Sequence, residues 1–427
     1  MDDLSTQLEA LYRKEYKRLF AVLTRLFGPH NLTLAEDILH DAFSRAIQVW
    51  QQDGIPENPA GWLIQTAKNR AIDTIRAQKT KTDFAQDLQF YLESEWSLGS
   101  TVAHEFAEEK IKDDQLRMIF FCCHPKLSDE NRLPFILQTL CGFSLSAISR
   151  ALVLPVETVK KRLLRTKKHL RNIPFEIPEG DALQAAMDTV HTVLYLLFNE
   201  GYNSSHSNHP MQLELCHEAI GLLNLLLDEP VIVNRDTFGL LALMHFHLAR
   251  AAARLDSNGE AIPLDLQDRT LWQQQTIAFA NQIMHSIETA ASSPPRRFYL
   301  EACIAQLHCN ARSFATTDWR SITLLYQQLV TLTHSPVAEL NLAIAIAYSG
   351  DNKTAIVQVE HLKRANRLPK SHMPDAVLGH LFARQGDADK AYAHARAAQQ
   401  LGGTTHEHKL MFLQLERLLT SRLSPTA

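Results

Sequence analysis

Apolar residues recur at helical spacing along almost the whole chain, and few stretches alternate with the two-residue period of a strand. Leu8, Leu11, Leu19, Val22, Leu23 and Leu26 mark a first amphipathic helix over 8–27, ended by Gly28-Pro29. Thr33-x-x-Glu36 then reads as a capping box. The helix it opens is expected to bury Ile38, Ala42, Phe43, Ala46, Ile47 and Trp50 and to show Glu36, Asp37, Asp41 and Arg45 outward. After the loop QQDGIPENP, Pro59 starts a third helix whose exposed side carries Lys68, Asn69, Arg70, Asp73 and Arg76. A further helix is expected from Ser128 to Leu140, and Pro134 inside it should kink it or delay its start. The fold class predicted is all-α.

The most informative stretch runs from Ser144 to Arg171. Ser144 can cap a short helix whose Ala147, Ile148, Ala151 and Leu152 form one apolar stripe. The chain turns at Val153-Leu154, and Pro155 stands where a first helical residue belongs. In the next helix Val159 and Leu163 face inward, while Thr158, Lys161, Arg162, Arg165 and Lys168 point outward at about 100° per residue. Two short helices joined by a tight turn, the second basic outside, form the pattern of a helix-turn-helix with a major-groove reading helix. Val153 stands where such turns often carry Gly.

Charge sharpens this reading. The 427 residues hold 43 Lys and Arg against 47 Asp and Glu, a net charge of −4. Between Arg150 and Arg171, however, eight basic residues face the single acid Glu157. A positive patch on an acidic protein is what phosphate neutralisation requires, whereas a merely solvated face would mix its charges. Composition excludes other classes. No apolar run is long enough to cross a bilayer and the N-terminus has no signal-peptide core, so a cytoplasmic location is expected. Six cysteines form no C-x-x-C pair and are expected as buried thiols, with Cys122-Cys123-His124 in the core. His206, His209 and His217 lack companions, and His245 and His247 lie about 200° apart on a helix, so no metal site is expected. No phosphate loop, catalytic carboxylate pair or nucleophile arrangement is present, and neither a cofactor nor an enzymatic activity is expected.

Together, AEDILHDAF, NPAGWL and AKNRAIDTIR resemble region 2 of bacterial RNA polymerase sigma factors of the extracytoplasmic-function (ECF) type. The helix-turn-helix then falls where region 4 belongs. DDQLRMIFFCCHPKLSDENRLPFILQTL and LLFNEGYNSSHS resemble a subgroup with a large helical C-terminal extension. The resemblance implies region 2 at 1–80, a polar linker at 81–112, region 4 at 113–173 and a C-terminal helical domain at 174–427. It also implies roles residue by residue. Asp37, Asp41 and Phe43 match the surface that docks on core polymerase. Glu57, Asn58, Trp62, Asn69, Arg70, Asp73 and Arg76 match the part that opens the −10 element, where an unstacked base needs a pocket, polar groups and cations. Thr158, Lys161, Arg162, Arg165 and Lys168 match the reader of the −35 element, and Arg suits guanine edges. The linker, with isolated Phe84, Phe90, Tyr91 and Trp96, is expected as a flexible tether or as a strap whose aromatics dock on a neighbour.

After Ile173 the segment PFEIPEGDA reads as a hinge, and charge shifts from 24 basic and 22 acidic residues before it to 19 and 25 after. GDNKTA at 350–355 and GDADKA at 386–391 repeat 36 positions apart, each between small-residue helices (Leu342, Ala343, Ile346 and Val359; Leu378, Gly379, Phe382, Ala395 and Ala398). That spacing is close to the tetratricopeptide repeat, clearest over 336–400, and such stacks offer a groove for a protein or peptide partner. The leading expectation is thus an ECF sigma factor with core polymerase and promoter DNA as partners, no membrane, and a regulatory helical appendage. A helix-turn-helix regulator with a repeat-type sensor, or a scaffold that binds no DNA, are the alternatives. Neither needs an acidic docking helix beside a strand-opening helix.

Overall fold

In the computed structural model, residues 2–78, 102–152, 154–203, 211–229, 232–256, 261–290, 295–369, 371–403 and 405–423 are described. Among them the chain is helical throughout, with one isolated antiparallel bridge between Leu255 and Ala261 and no strand. The fold class matches the periodicity. The linker aromatics Phe84, Phe90, Tyr91 and Trp96, together with Val153, lie outside the described residues. The chain divides into two units, 1–197 with 217–232, and 198–216 with 233–427.

The first unit is organised on α1 (Asp2–Phe27), whose Tyr16, Leu19, Phe20, Leu23 and Phe27 are almost wholly buried. Gly28 ends it with φ of 80°. The next helix, α2 (Leu32–Asp53), begins before Thr33, so the expected capping box does not form. Asn31 stands at its cap, and its amide donates instead to the Phe27 carbonyl at 2.9 Å. With the box absent, Glu36 turns inward and is buried, contrary to the outward position expected, while Ile47 is exposed. Helix α3 (Pro59–Gln78) is capped by Asn58, whose Oδ1 accepts from the Gly61 N–H at 2.9 Å.

Part of the expected linker is structured. Residues 102–105 are helical, Val102 and Phe106 are buried, and α4 (Glu108–Cys122) starts five residues before the boundary set from sequence. The reason is burial of its few apolar residues: Val102, Phe106 and Ile111 are inward-facing in a segment that is polar on average. Helices α5 (Asp129–Thr139), α6 (Leu145–Ala151) and α7 (Val156–Leu170) follow. Pro134 sits inside α5, which continues through it. Cys122, Cys123 and Cys141 are buried as expected, and burial raises all three thiols. His124 is half-buried beside them.

The unit does not stop at the expected hinge. Phe175 packs edge-on against Phe121 at 5.5 Å, and the unit takes in most of α8 (Gly180–Asn203) and of α9 (Leu213–Leu227). Lys17 of α1 pairs with Glu218 of α9 at 3.1 Å. The boundary between units therefore lies later in the sequence than residue 174.

The second unit comprises α10 (Arg235–Ala249), α11 (Gln274–Ala290), α12 (Arg297–Asn310), α13 (Trp319–Thr333), α14 (Pro336–Tyr348), α15 (Asn352–Arg364), α16 (Met373–Gln385), α17 (Ala388–Leu401) and α18 (Thr405–Leu423), besides the helix ends at 198–203 and 213–216. The repeat read from GDNKTA and GDADKA is a repeat of geometry. Gly350 and Gly386 take φ of 109° and 90°, open to Gly at little cost. Asp351 and Asp387 then cap α15 and α17, accepting from the Thr354 and Lys390 N–H at 3.0 and 3.1 Å. Ala343, Val359, Leu378, Phe382 and Ala395 join one core. A side chain at Gly379 would meet the Ala391 carbonyl at 3.1 Å, so the small residue sets the approach of α16 and α17.

Candidate nucleic-acid interface

The helix-turn-helix forms from the residues that its sequence nominated. Ser144 Oγ accepts from the Ala147 N–H at 3.2 Å and caps α6. Ala147, Ile148 and Ala151 are buried, as are Val159, Leu163, Thr166 and Leu170 of α7. Ser149 closes the turn through its hydroxyl to the Leu154 carbonyl at 2.5 Å. Pro155 is the N-cap of α7 rather than its first residue.

The outward side of α7 holds Lys161, Arg165 and Lys168, all exposed, with Thr158 half-buried. Arg162 departs from the expectation. Its guanidinium turns to α5, donating to the Glu130 carbonyl at 3.1 Å with the Glu130 carboxylate 3.6 Å away, and its side chain is 24% exposed. Leu164, which sequence reasoning did not single out, is 70% exposed between Lys161 and Arg165. Its offset of three from Lys161 was the available signal, since that spacing puts it on the same stripe. An apolar group there can meet a thymine methyl.

Lys167 was missed as well. Its ammonium donates to Glu36 Oε1 at 2.6 Å, joining α7 to α2. Glu36 falls at i+4 from Leu32 and three before Leu39, within the buried stripe of α2, and this spacing could have shown it as inward-facing. A second joint lies at Gly142, where an added Cβ would stand 2.7 Å from the Arg13 carbonyl. Next to it the Arg13 guanidinium lies 4.5 Å from the Phe143 ring centre. Within this unit the helix-turn-helix is thus packed on α1 and α2.

The residues nominated for strand opening gather along α3 and its start. Glu57, Asn58, Asn69, Arg70, Asp73 and Arg76 are exposed. Asn58 is engaged as the cap of α3, and Asn69 accepts from the Gln65 amide at 2.9 Å. Trp62 is half-buried, edge-on to Trp50 at 5.4 Å. Of the residues nominated for docking on α2, Asp37 and Asp41 are exposed, and Asp41 is paired with Arg70 of α3. Phe43 is buried, its ring 4.6 Å from Tyr12. With Leu11, His40, Ile47 and Trp50 it lines an apolar hollow of about 340 Å³. A surface of exposed carboxylates beside such a hollow can hold a basic, apolar-tipped partner.

His206 and His209 lie outside the described residues; among those described, no cluster of three or more His, Cys, Asp or Glu side chains has metal-binding geometry. No described helix is long and apolar enough to cross a membrane.

Family models match three parts of the chain. The model of Sigma-70 region 2 matches residues 11–81, and that of Sigma-70 region 4 matches 117–170. A family of unknown function (DUF6596) matches 186–288. An uncharacterized protein of Rhizobium meliloti (strain 1021) is 32% identical over 395 residues, covering 91% of this chain and 90% of its own. The ECF RNA polymerase sigma factor SigW of Bacillus subtilis is 29% identical over 156 residues, 36% of this chain and 81% of its own. The probable ECF RNA polymerase sigma factor SigI of Mycobacterium tuberculosis is 22% identical over 163 residues, 38% of this chain and 54% of its own. No solved structure matches the chain.

Proposed function

We infer the working of this chain from its family: it belongs with the Rhizobium meliloti protein and is an RNA polymerase sigma factor of the ECF type, with an additional helical C-terminal domain. In our reading the exposed carboxylates of α2, Asp37 and Asp41, with the hollow beside Phe43, dock on core polymerase. Helix α3 and its start then open the −10 element. There Trp62, Asn69, Arg70, Asp73 and Arg76 receive an unstacked base and the displaced strand, with Glu57 and Asn58 at the edge. Helix α7 reads the −35 element through Lys161, Arg165 and Lys168, flanked by Thr158 and Leu164, while Arg162 holds the helix in place. The protein works by binding, without catalysis or cofactor, in the cytoplasm where polymerase and promoter meet.

One observation carries this reading: α2 with its exposed Asp37 and Asp41, and α3 with its exposed Asn69, Arg70 and Arg76, share a unit with a helix-turn-helix whose outer face is basic. A duplex-binding regulator has no use for the first two. The C-terminal unit is assigned a regulatory role toward the other two parts, consistent with the high effective concentration that one chain imposes. The test is co-purification with core polymerase and promoter-dependent retention of that complex on DNA. Tight duplex binding by the protein alone, with no affinity for core polymerase, would favour the regulator instead.

A further inference from the structure

The second unit carries an open cavity of about 490 Å³ that the sigma activity does not use. Its size falls within the ~300–1,000 Å³ typical of small-molecule sites. It is lined by the first helices of successive hairpins, α12, α14 and α16, by Trp319 and Tyr326 of α13, and by the final helix α18. In an open stack of helical repeats this side would be a groove for an extended peptide. Here it is crowded. The segment Pro263–Asp265 lines the same cavity, and Asp265 is tied to Arg417 of α18 at 2.6 Å. A compact molecule fits such a space better than a strand of peptide.

The walls specify chemistry. Trp319 and Tyr348 stack at 4.6 Å with 21° between their planes, and Phe314 meets both edge-on at 5.1 and 5.0 Å. Aromatic walls of this kind favour a flat aromatic guest through stacking and edge contacts. Apart from the carboxylates of Asp265 and the exposed Glu407, the polar groups that line it are few and uncharged. Tyr348 Oη shares a hydrogen bond with His380 Nε2 at 3.1 Å, and Asn341 and Gln414 offer carboxamides. Burial holds His308 and His380 at about 4, so both rings are neutral. The charges nearby are already engaged. Asp265 is paired, and Arg384 lies 3.9 Å from the Tyr348 ring centre while donating to the Ala347 carbonyl at 3.3 Å. An anionic guest would lose its hydration there and meet carboxylates, and a cationic one would find Asp265 already held by Arg417 and Glu407 in solvent.

We propose that this cavity is a binding site for a small, uncharged aromatic molecule carrying one or two hydrogen-bonding groups. Binding rests on the cavity alone. Its consequence, a change in promoter-dependent transcription when the site fills, rests on the sigma reading given above.

The experiment uses the full chain and two fluorescent probes that differ by one sulfonate: uncharged N-phenyl-1-naphthylamine and anionic 1-anilinonaphthalene-8-sulfonate. The uncharged probe should bind saturably, one per chain, and at least about tenfold more tightly than the anion, a difference of ~1.4 kcal/mol. Ala376→Trp, which places an indole in the cavity, should weaken the uncharged probe by about tenfold or more while helix content and melting stay unchanged. Should that variant misfold, Val377→Phe serves the same purpose with a smaller intrusion. Equal affinity for the two probes, no saturable binding, or undiminished binding by a folded cavity-filled variant would each overturn the proposal. So would displacement of the probe only by peptides and by no uncharged aromatic compound. Transcription from a responsive promoter is measured separately, so that failure of the sigma reading leaves the binding result standing.

Discussion

Pro134 and Arg162 are complementary. Proline has no N–H, so the Glu130 carbonyl four residues earlier lacks its usual helical donor, and Arg162 of the reading helix supplies one at 3.1 Å. Thr166, one turn further along α7, adds a hydroxyl to the Asn131 carbonyl at 3.2 Å. The proline inside α5 thus creates the seat on which α7 is held, and it withdraws Arg162 from the outward set.

That relationship separates two kinds of arginine. Arg162→Ala should lower stability by about 1–2 kcal/mol, through loss of a charge-assisted hydrogen bond to a carbonyl left without a helical donor. Arg165→Ala should leave stability within about 0.5 kcal/mol and weaken recognition of the upstream element by about 1–3 kcal/mol. Urea unfolding and promoter binding at matched and altered upstream elements measure the two effects. Equal stability losses in both variants would contradict the assignment.

Glu36 and Lys167 form the partly buried pair between α2 and α7, with side chains 9% and 17% exposed. Removing the carboxylate alone leaves a cation with little water and no partner. Glu36→Ala should cost roughly 2–4 kcal/mol, and Glu36→Leu combined with Lys167→Met should recover most of the loss. A double-mutant cycle by chemical unfolding checks this. Additive losses would show that the two side chains are not coupled.

Asp41 and Arg70 are paired but both about half exposed, so the pair itself contributes little to stability, about 0–1 kcal/mol. Asp41→Arg should therefore leave melting nearly unchanged while weakening binding to core polymerase, because like charge then meets the basic partner. Exchanging the two charges should restore the ion pair and not the polymerase affinity. Undiminished co-purification of Asp41→Arg with core polymerase would remove Asp41 from the docking surface.

Burial depresses His247 from the ordinary 6.5 to about 3, with Arg250 and Arg254 adding to the effect. A histidine held neutral in the folded state binds fewer protons than in the unfolded chain. Its contribution to stability is complete above pH 6.5 and is lost as pH falls from there toward 3. The slope is up to ~1.4 kcal/mol per pH unit for each such group, and His308 and His380 add to it. Urea midpoints between neutral pH and pH 5 should fall steeply in the wild type and less so in His247→Phe. Parallel profiles would refute the neutral state of His247.

The unit boundary makes a further difference measurable. Cutting after Arg171 removes the Phe175 contact and the Glu218 partner of Lys17, and should leave a destabilised fragment. Ending the chain after Ile232 retains both and should give a cooperative unfolding transition for the first unit. A fragment ending at Arg171 as stable as the longer one would contradict this division.

How much of this was legible in the sequence differs by element. The helix-turn-helix could be read because Ser144, Val159 and Leu163 are local signals, each fixed by spacing within one or two turns. The Gly-Asp repeat could be read for the same reason, since a left-handed glycine followed by a capping aspartate is a local device. Glu36, Arg162 and Phe175 were misplaced because their partners lie far along the chain, at Lys167, Glu130 and Phe121. Helical periodicity shows which way a side chain faces but not what it meets there. The cavity of the second unit was hidden for the same reason, as Trp319, Tyr348 and His380 come from three helices.

Transcription by purified core polymerase on a promoter library, with permanganate mapping of unpaired thymines, tests the sigma reading at its root. Adding the full chain should start transcription from a defined subset of promoters and expose thymines in their −10 elements. Arg165→Ala should lower activity according to the upstream sequence, and substitutions at Asn69 or Arg70 should reduce strand opening without loss of duplex binding. Tight binding of promoter duplex by the protein with no initiation and no exposed thymines would contradict the account.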